Sequence, residues 1–348
     1  METMLSAVFK GNGVLALEQR PVPKIQTPDE VLLKVISAGI CGSDLHILHV
    51  PPGQHADVDV IMGHEIYGEV IEAGPKAEGI EVGNFVTVDP NMKCGTCDYC
   101  KHGMPNMCEL SVKEIYGQTL NGGFAPYVVV RSKQLYKFPF RVSGAIGGQT
   151  EPLACVMNGI KKANPSPLDN IILFGAGPIG LLYLRCFIAY GVKNIIVCEM
   201  APERQEYAKQ CGATAIVDPS KVDLMEYMLS LWGEKATVIV DAVGASPILE
   251  QSIPLLQSGG KHIIFGQNSN AISTIHTADI VVNELQIIGS YITKFTFPSA
   301  IKIITTDGFG AEKIVSHRLE LKDIVQGVEL AKAKKASRVI IYPNGFDE

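Results

Sequence analysis

Residues 171–180 constrain the fold of this chain more than any other stretch. Four apolar residues, 171–174, lead directly into Gly175-Ala176-Gly177-Pro178-Ile179-Gly180, and a long apolar helical segment follows. A strand that turns on glycine and opens a helix belongs to a parallel β–α unit, since the helix must cross back over the sheet to reach the next strand. The apolar pattern recurs at 195–198, 215–217, 238–240, 263–265 and 287–289, with crossover-length segments between. Such an alternation predicts an α/β fold built on a doubly wound parallel sheet.

The same glycines have a chemical reading. Gly175 permits the tight turn, Gly177 lets a pyrophosphate approach the backbone, and Gly180 lets the helix pack closely, while Pro178 sits at a first-turn position where proline costs little and Ile179 completes the motif. Glu199 follows the next strand, about 20 residues on, where a carboxylate can accept hydrogen bonds from an adenosine ribose. A 2′-phosphate would set a second anion beside it, so NAD is expected over NADP; Arg204 is the one nearby cation able to fold back toward a phosphate. The competing readings are a glycine turn with no ligand and Glu199 as a solvated strand-end charge.

The first 150 residues differ in texture. Short β segments at 6–9, 14–19, 30–38, 68–73, 85–89 and 126–130 alternate with turn signals such as Gly11-Asn12-Gly13 and Asn121-Gly122-Gly123, which predicts a barrel-like β domain. Beyond Tyr291 the alternation loosens, and a helix near 321–331 with a strand at 338–341 could complete either domain. Within the first part, Cys94, Cys97, Cys100 and Cys108 crowd one loop. Their spacing lets one tetrahedral ion gather four thiolates, which leaves no open position and makes the metal structural. Spacing alone leaves zinc and an iron–sulfur cluster both open. A zinc-ribbon nucleic-acid module is a third reading, diluted by Asp98 and Glu109 among the few local cations. Cys41-Gly42-Ser43-Asp44-Leu45-His46 and Gly63-His64-Glu65 carry less information alone, and a metal role for Cys41 and His64 stays even with a structural one.

Composition narrows the partners. A net charge of -6 gives no general reason to bind nucleic acid or an anionic membrane, and no apolar run reaches the length of a membrane span. Nine cysteines without a signal-peptide pattern argue for thiols and metal ligation in the cytoplasm rather than disulfides. Cys186, Cys198 and Cys211 read as small buried side chains.

Taken together, Gly63-His64-Glu65, the four-cysteine lobe, Thr150-Glu151-Pro152-Leu153 and the glycine fingerprint stand in the order of one family. Over essentially its whole length the chain resembles the zinc-containing medium-chain dehydrogenases, in particular the sorbitol, polyol and threonine dehydrogenase branch. The resemblance implies a GroES-like β-barrel catalytic domain at 1–155 and 293–348, with the zinc lobe at about 91–110, split around a Rossmann domain at 156–292. It implies a catalytic zinc held through Cys41, His64 and the acidic Glu65 and Glu151, one of which yields to water during turnover, besides the structural zinc. Glu151 is favoured over Cys155, four residues on, because it occupies the family's acidic position. Ser43 and His46 match the relay that carries the alcohol proton to solvent, and Arg338 resembles the basic residue that meets the pyrophosphate. The implied reaction moves a hydride from a secondary alcohol of a polyol or sugar-like substrate to NAD, with threonine-type amino alcohol oxidation as the nearest alternative, in a homo-oligomer of two or four chains. A metal-free reductase of the same fold and a non-enzymatic zinc-ribbon binder are disfavoured by the four candidate catalytic-zinc ligands and by the glycine fingerprint. Loops 48–58 and 291–297 are expected to shape the pocket that chooses the substrate.

Overall fold

The protein is represented by a computed structural model that describes residues 2–346 as two compact units. The first unit contains residues 2–154, 293–306 and 315–346, and the second contains 155–292 and 307–314.

In the first unit, β1 (Thr3–Phe9) and β2 (Leu15–Pro21) form an antiparallel ribbon. There follow β3 (Glu30–Gly39), β4 (Glu65–Ala73), β5 (Phe85–Val88), β6 (Tyr127–Arg131) and β7 (Leu135–Lys137). Strand β3 is the spine, antiparallel to both β4 and β6. Its Val31, Leu33, Val35 and Ala38 are fully buried in one apolar cluster with Ile66, Val70, Val86 and Val128. Branched side chains suit such a pleated, covered surface, and their burial is what holds the register.

The second unit is built from β8 (Asn170–Phe174), β9 (Asn194–Cys198), β10 (Ala215–Val217), β11 (Ala236–Asp241), β12 (Leu256–Ile264) and β13 (Gln286–Gly289). They lie in the order β10-β9-β8-β11-β12-β13, every pair parallel. The chain reverses its winding between β8 and β11, and the loops after those two strands meet there: a β-carbon at Gly175 would stand 2.7 Å from Val243 Cγ2. Strand β12 starts well before the expected 263–265, because Ser258-Gly259-Gly260 continues the strand instead of turning out of it. Residues 307–314, expected with the first domain, pack with the second unit. Arg185 is the cause: its buried guanidinium donates to Gly308 O, Phe309 O and Cys211 O.

The remaining tail joins the first unit. Strands β14 (His317–Glu320) and β15 (Val339–Tyr342) extend its sheet in the order β14-β15-β3-β4-β5-β7, with β6 paired to β3. Among the described residues no helix is long and apolar enough to cross a membrane.

Candidate functional site

At its end, β3 presents Gly39 to Glu65 of β4 on one side and to Ile340 of β15 on the other. This register decides what meets. Cys41 lies just beyond Gly39 and His64 just before Glu65, so thiol, imidazole and carboxylate converge, one ligand atom from each within 4.8 Å of the others. Asp44, on the helix Gly42–Ile47 that starts after Cys41, aligns them. Its Oδ2 accepts the Cys41 N–H at 2.9 Å, and its Oδ1 lies 3.6 Å from His64 Nδ1. The other ring nitrogen, Nε2, is thereby turned toward Ser43 Oγ at 3.3 Å. A carboxylate behind an imidazole fixes its tautomer and raises its basicity as a metal ligand.

The electrostatics call for a cation. Burial alone would depress His64, yet the Cys41 sulfur and the Asp44 carboxylate lift it well above the ordinary imidazole value. Burial, with Glu65 adding to it, pushes the Cys41 thiol up. Protons are thus held where the side chains lack positive charge, and a divalent ion can replace them. Glu65 Oε1 is buried without a protein partner, which leaves an oxygen for that ion. A sulfur, nitrogen and oxygen set at this separation fits zinc with a position left open.

Arg338 departs from expectation. It was expected at a dinucleotide pyrophosphate, but its side chain points into the first unit, where Nη2 pairs with Glu65 Oε2 and donates to Gly148 O at 3.2 Å, and Nη1 donates to Ile40 O at 3.0 Å. Buried and paired with a carboxylate, this guanidinium is turned away from any phosphate in solvent; it holds Glu65 instead. Glu151, buried in the first turn of the helix Thr150–Ala163, falls outside the group of close ligand atoms, and its charge acts on Arg338. The group of close ligand atoms thus includes one carboxylate, that of Glu65. Ser43 and His46 share one helix face three residues apart, with His46 exposed at its end.

The four-cysteine lobe closes around a second centre. Cys94 Sγ lies 4.0 Å from Cys100 Sγ and 3.6 Å from Cys108 Sγ. A tetrahedron with arms of about 2.3 Å has edges of about 3.8 Å, so these spacings suit one zinc ion. The backbone N–H groups of Cys97 and Thr96 point at Cys94 Sγ and lower its pKa to about 5. None of the nine cysteines is in a disulfide.

In the second unit the glycine loop behaves as its spacing predicts. Gly175 has φ +97°, a conformation that disfavours any side chain, and a β-carbon at Gly180 would fall on Gly175 O. At Gly177 a β-carbon would meet only the Arg204 guanidinium, 3.7 Å away, so open space and a cation lie where a pyrophosphate would approach. Arg204 Nε is buried without a protein partner, while Pro178 and Ile179 stay half-exposed at the start of the helix Pro178–Ala189. Glu199 accepts the N–H groups of Ala176, Met200 and Ala201, each at 2.9 Å, which pins its carboxylate beside the glycine loop.

Sequence reasoning left two contributors without a role. Asp44 stands inside a motif that was noticed, and a carboxylate one helical turn from a candidate ligand is the signal. Gly39 is an isolated glycine in a strand, which marks a close approach; here a β-carbon would fall on both Glu65 Oε2 and Arg338 Nη2.

Comparison with known proteins agrees with this anatomy. Residues 27–140 match the alcohol dehydrogenase GroES-like domain and residues 178–306 match the zinc-binding dehydrogenase family. D-altritol 5-dehydrogenase of Agrobacterium fabrum is 34% identical over 91% of this chain and 92% of its own. D-xylulose reductase A of Aspergillus oryzae is 30% identical over 97% and 96%. A zinc-binding dehydrogenase of Sinorhizobium meliloti 1021, solved with NADP bound, is 30% identical and superposes with a TM-score of 0.91 over 99% of this chain and 100% of that one. The chain belongs to the zinc-binding alcohol dehydrogenase family, with a GroES-like domain and a Rossmann domain, and is a zinc- and nicotinamide-dependent oxidoreductase.

Proposed function

We propose that this enzyme oxidises a secondary alcohol of a polyol or sugar-like substrate to the ketone, with NAD as acceptor. The observation that carries the reading is the Cys41–His64–Glu65 group with Asp44 behind it, in a chain whose relatives are named for D-altritol and D-xylulose. Cys41, His64 and Glu65 would hold the catalytic zinc, and the four-cysteine lobe the structural one. When bound, zinc supplies Lewis acidity that lowers the pKa of the substrate hydroxyl, and the dinucleotide supplies the hydride acceptor.

The rest is work of the chain. Ser43 Oγ, 3.3 Å from the His64 nitrogen that would face the metal, takes the hydroxyl proton and hands it toward exposed His46 and solvent. Asp44, bonded to the Cys41 N–H and 3.6 Å from His64 Nδ1, orients the imidazole, and Arg338 holds Glu65 Oε2 while leaving Oε1 free for the metal. Glu199 receives the adenosine ribose and Arg204 meets the pyrophosphate at Gly177, an arrangement that favours NAD over NADP.

We further propose a cytoplasmic homo-oligomer. Nine cysteines with no disulfide among them suit a reducing compartment. Among the described residues β13 pairs only with β12, and Val281 and Val282, on the helix that leads into it, are strongly exposed, a surface that a second copy would cover.

The test is a panel of polyols, sugars, threonine and ethanol with NAD, run beside elemental analysis. A polyol or sugar should give the highest kcat/KM, with two zinc ions per chain. Mild chelation should abolish activity before the four-cysteine metal leaves. Ethanol matching the best polyol refutes the reading, and threonine as best substrate moves it to amino alcohol oxidation.

A further inference from the structure

We propose that Gln54 and Gln118 form an amide clamp that grips a second hydroxyl of the substrate, beside the reacting carbon, and so sets the preference for polyols over simple alcohols. The proposal rests on the polyol reading above and assigns it a specificity element.

Two backbone contacts fix where the clamp stands. Gly53 N donates to His46 O at 2.9 Å, and a β-carbon at Gly53 would lie 3.4 Å from His46 Nδ1, so the chain entering Gln54 runs over the His46 ring. On the other side, a β-carbon at Gly117 would lie 2.6 Å from Gly63 C and 2.9 Å from His64 N, so the chain entering Gln118 runs against the backbone that delivers His64. One anchor is thus His46, on the same short helix as Ser43, and the other is the backbone of His64, whose ring meets Ser43 Oγ at 3.3 Å. Gln54 Nε2 donates to Gln118 Oε1 at 3.2 Å and Asp57 N donates to Gln118 O at 2.8 Å, which ties the segments together.

Counting donors and acceptors shows what the pair has left. Each amide brings two N–H groups and one carbonyl, and their mutual bond engages one N–H and one carbonyl lone pair. Among the described residues no protein acceptor takes the Gln118 NH2, and no donor reaches Gln54 Oε1. Gln118 is only 5% exposed, yet its NH2 is not sealed off from solvent, so it stays open to a ligand hydroxyl. One free donor beside one free acceptor is what a hydroxyl needs, since it both accepts and donates. The count is the same if both amides are flipped together, which reverses the direction of their mutual bond. A monohydric alcohol has no second hydroxyl to offer and leaves the clamp unsatisfied, which is how a hydrogen-bonding site rejects the analogue lacking the group.

The experiment compares the parent enzyme with Gln118→Leu and Gln54→Leu on D-altritol, xylitol and D-glucitol, with 2-butanol as the secondary alcohol lacking a second hydroxyl. The ratio of kcat/KM for the best polyol to that for 2-butanol should fall about tenfold in each variant, mainly through KM, as the loss of one such hydrogen bond implies. Activity on 2-butanol and retained zinc content report that the variants are folded. A ratio unchanged in both variants, or equal losses on polyol and 2-butanol, overturns the clamp and leaves a loop tie. A parent enzyme that oxidises 2-butanol but none of the polyols overturns the polyol reading itself, and the clamp with it.

Discussion

Replacing Gly39 with alanine should damage the metal site through a residue that never touches the metal. The backbone of Gly39 is ordinary strand, so alanine meets no conformational penalty and even gains about 0.4–1 kcal/mol from a less flexible unfolded chain. The cost comes from space. A β-carbon there would fall on Glu65 Oε2 and Arg338 Nη2, whose side chains are 0% and 3% exposed, and the pair must separate to admit it. Separating a buried ion pair costs about 3–5 kcal/mol, because each charge loses its partner without regaining water. The net loss is about 2–4 kcal/mol. At roughly 2–4 °C per kcal/mol for a domain of this size, the melting temperature should drop by about 10 °C. Glu65 should also hold zinc less well once Arg338 no longer orients it. Thermal denaturation and zinc analysis of Gly39→Ala measure both effects, and a melting temperature within about 2 °C of the parent, with full zinc, would refute this role for Gly39.

Three further outcomes follow from other residues. His262 is fully buried in the second unit with neither ring nitrogen partnered, and burial lowers its pKa to about 4; the unfolded chain therefore binds the extra proton between pH about 6.5 and 4, so stability is intact above that window and falls by up to about 3 kcal/mol on descending through it. Denaturation midpoints should flatten over that range in His262→Leu, and an unchanged slope would exclude His262 as the source. Asp44→Asn should weaken catalytic zinc binding about 10- to 100-fold with the four-cysteine metal untouched, a result that competition with a chelator reads and that equal loss of both metals would contradict. The parent should prefer NAD over NADP by about tenfold to a hundredfold in kcat/KM, and Glu199→Ala should narrow the gap chiefly by weakening NAD; equal use of both cofactors by the parent would reject that role for Glu199.

How far the site could be read in advance depended on how local its parts are. The four cysteines span one loop, and the glycine turn is one strand end and one helix start, so the spacing of residue types already encodes the geometry that forms there. Cys41 and His64 were legible as a pair of motifs but not as neighbours, because what joins them is the β3–β4 register and not any sequence interval. Arg338 shows the limit. A cation near the C-terminus was visible, but its partner stands 273 residues away, and only the pairing of β15 with β3 delivers it to Glu65 and not to a phosphate.

By itself the sequence determined that a parallel nucleotide-type sheet follows a β domain, that four thiolates meet, and that a carboxylate follows the second parallel strand, since each of these depends on periodicity or short-range spacing. The tertiary structure alone decided that the tail extends the first sheet while 307–314 joins the second unit, that Glu65 and not Glu151 stands among the close ligand atoms, and that Gly39 leaves the room for its ion pair. Those outcomes turn on strand register and on which buried charge finds a partner, and both are settled by long-range packing that no local pattern of residues carries.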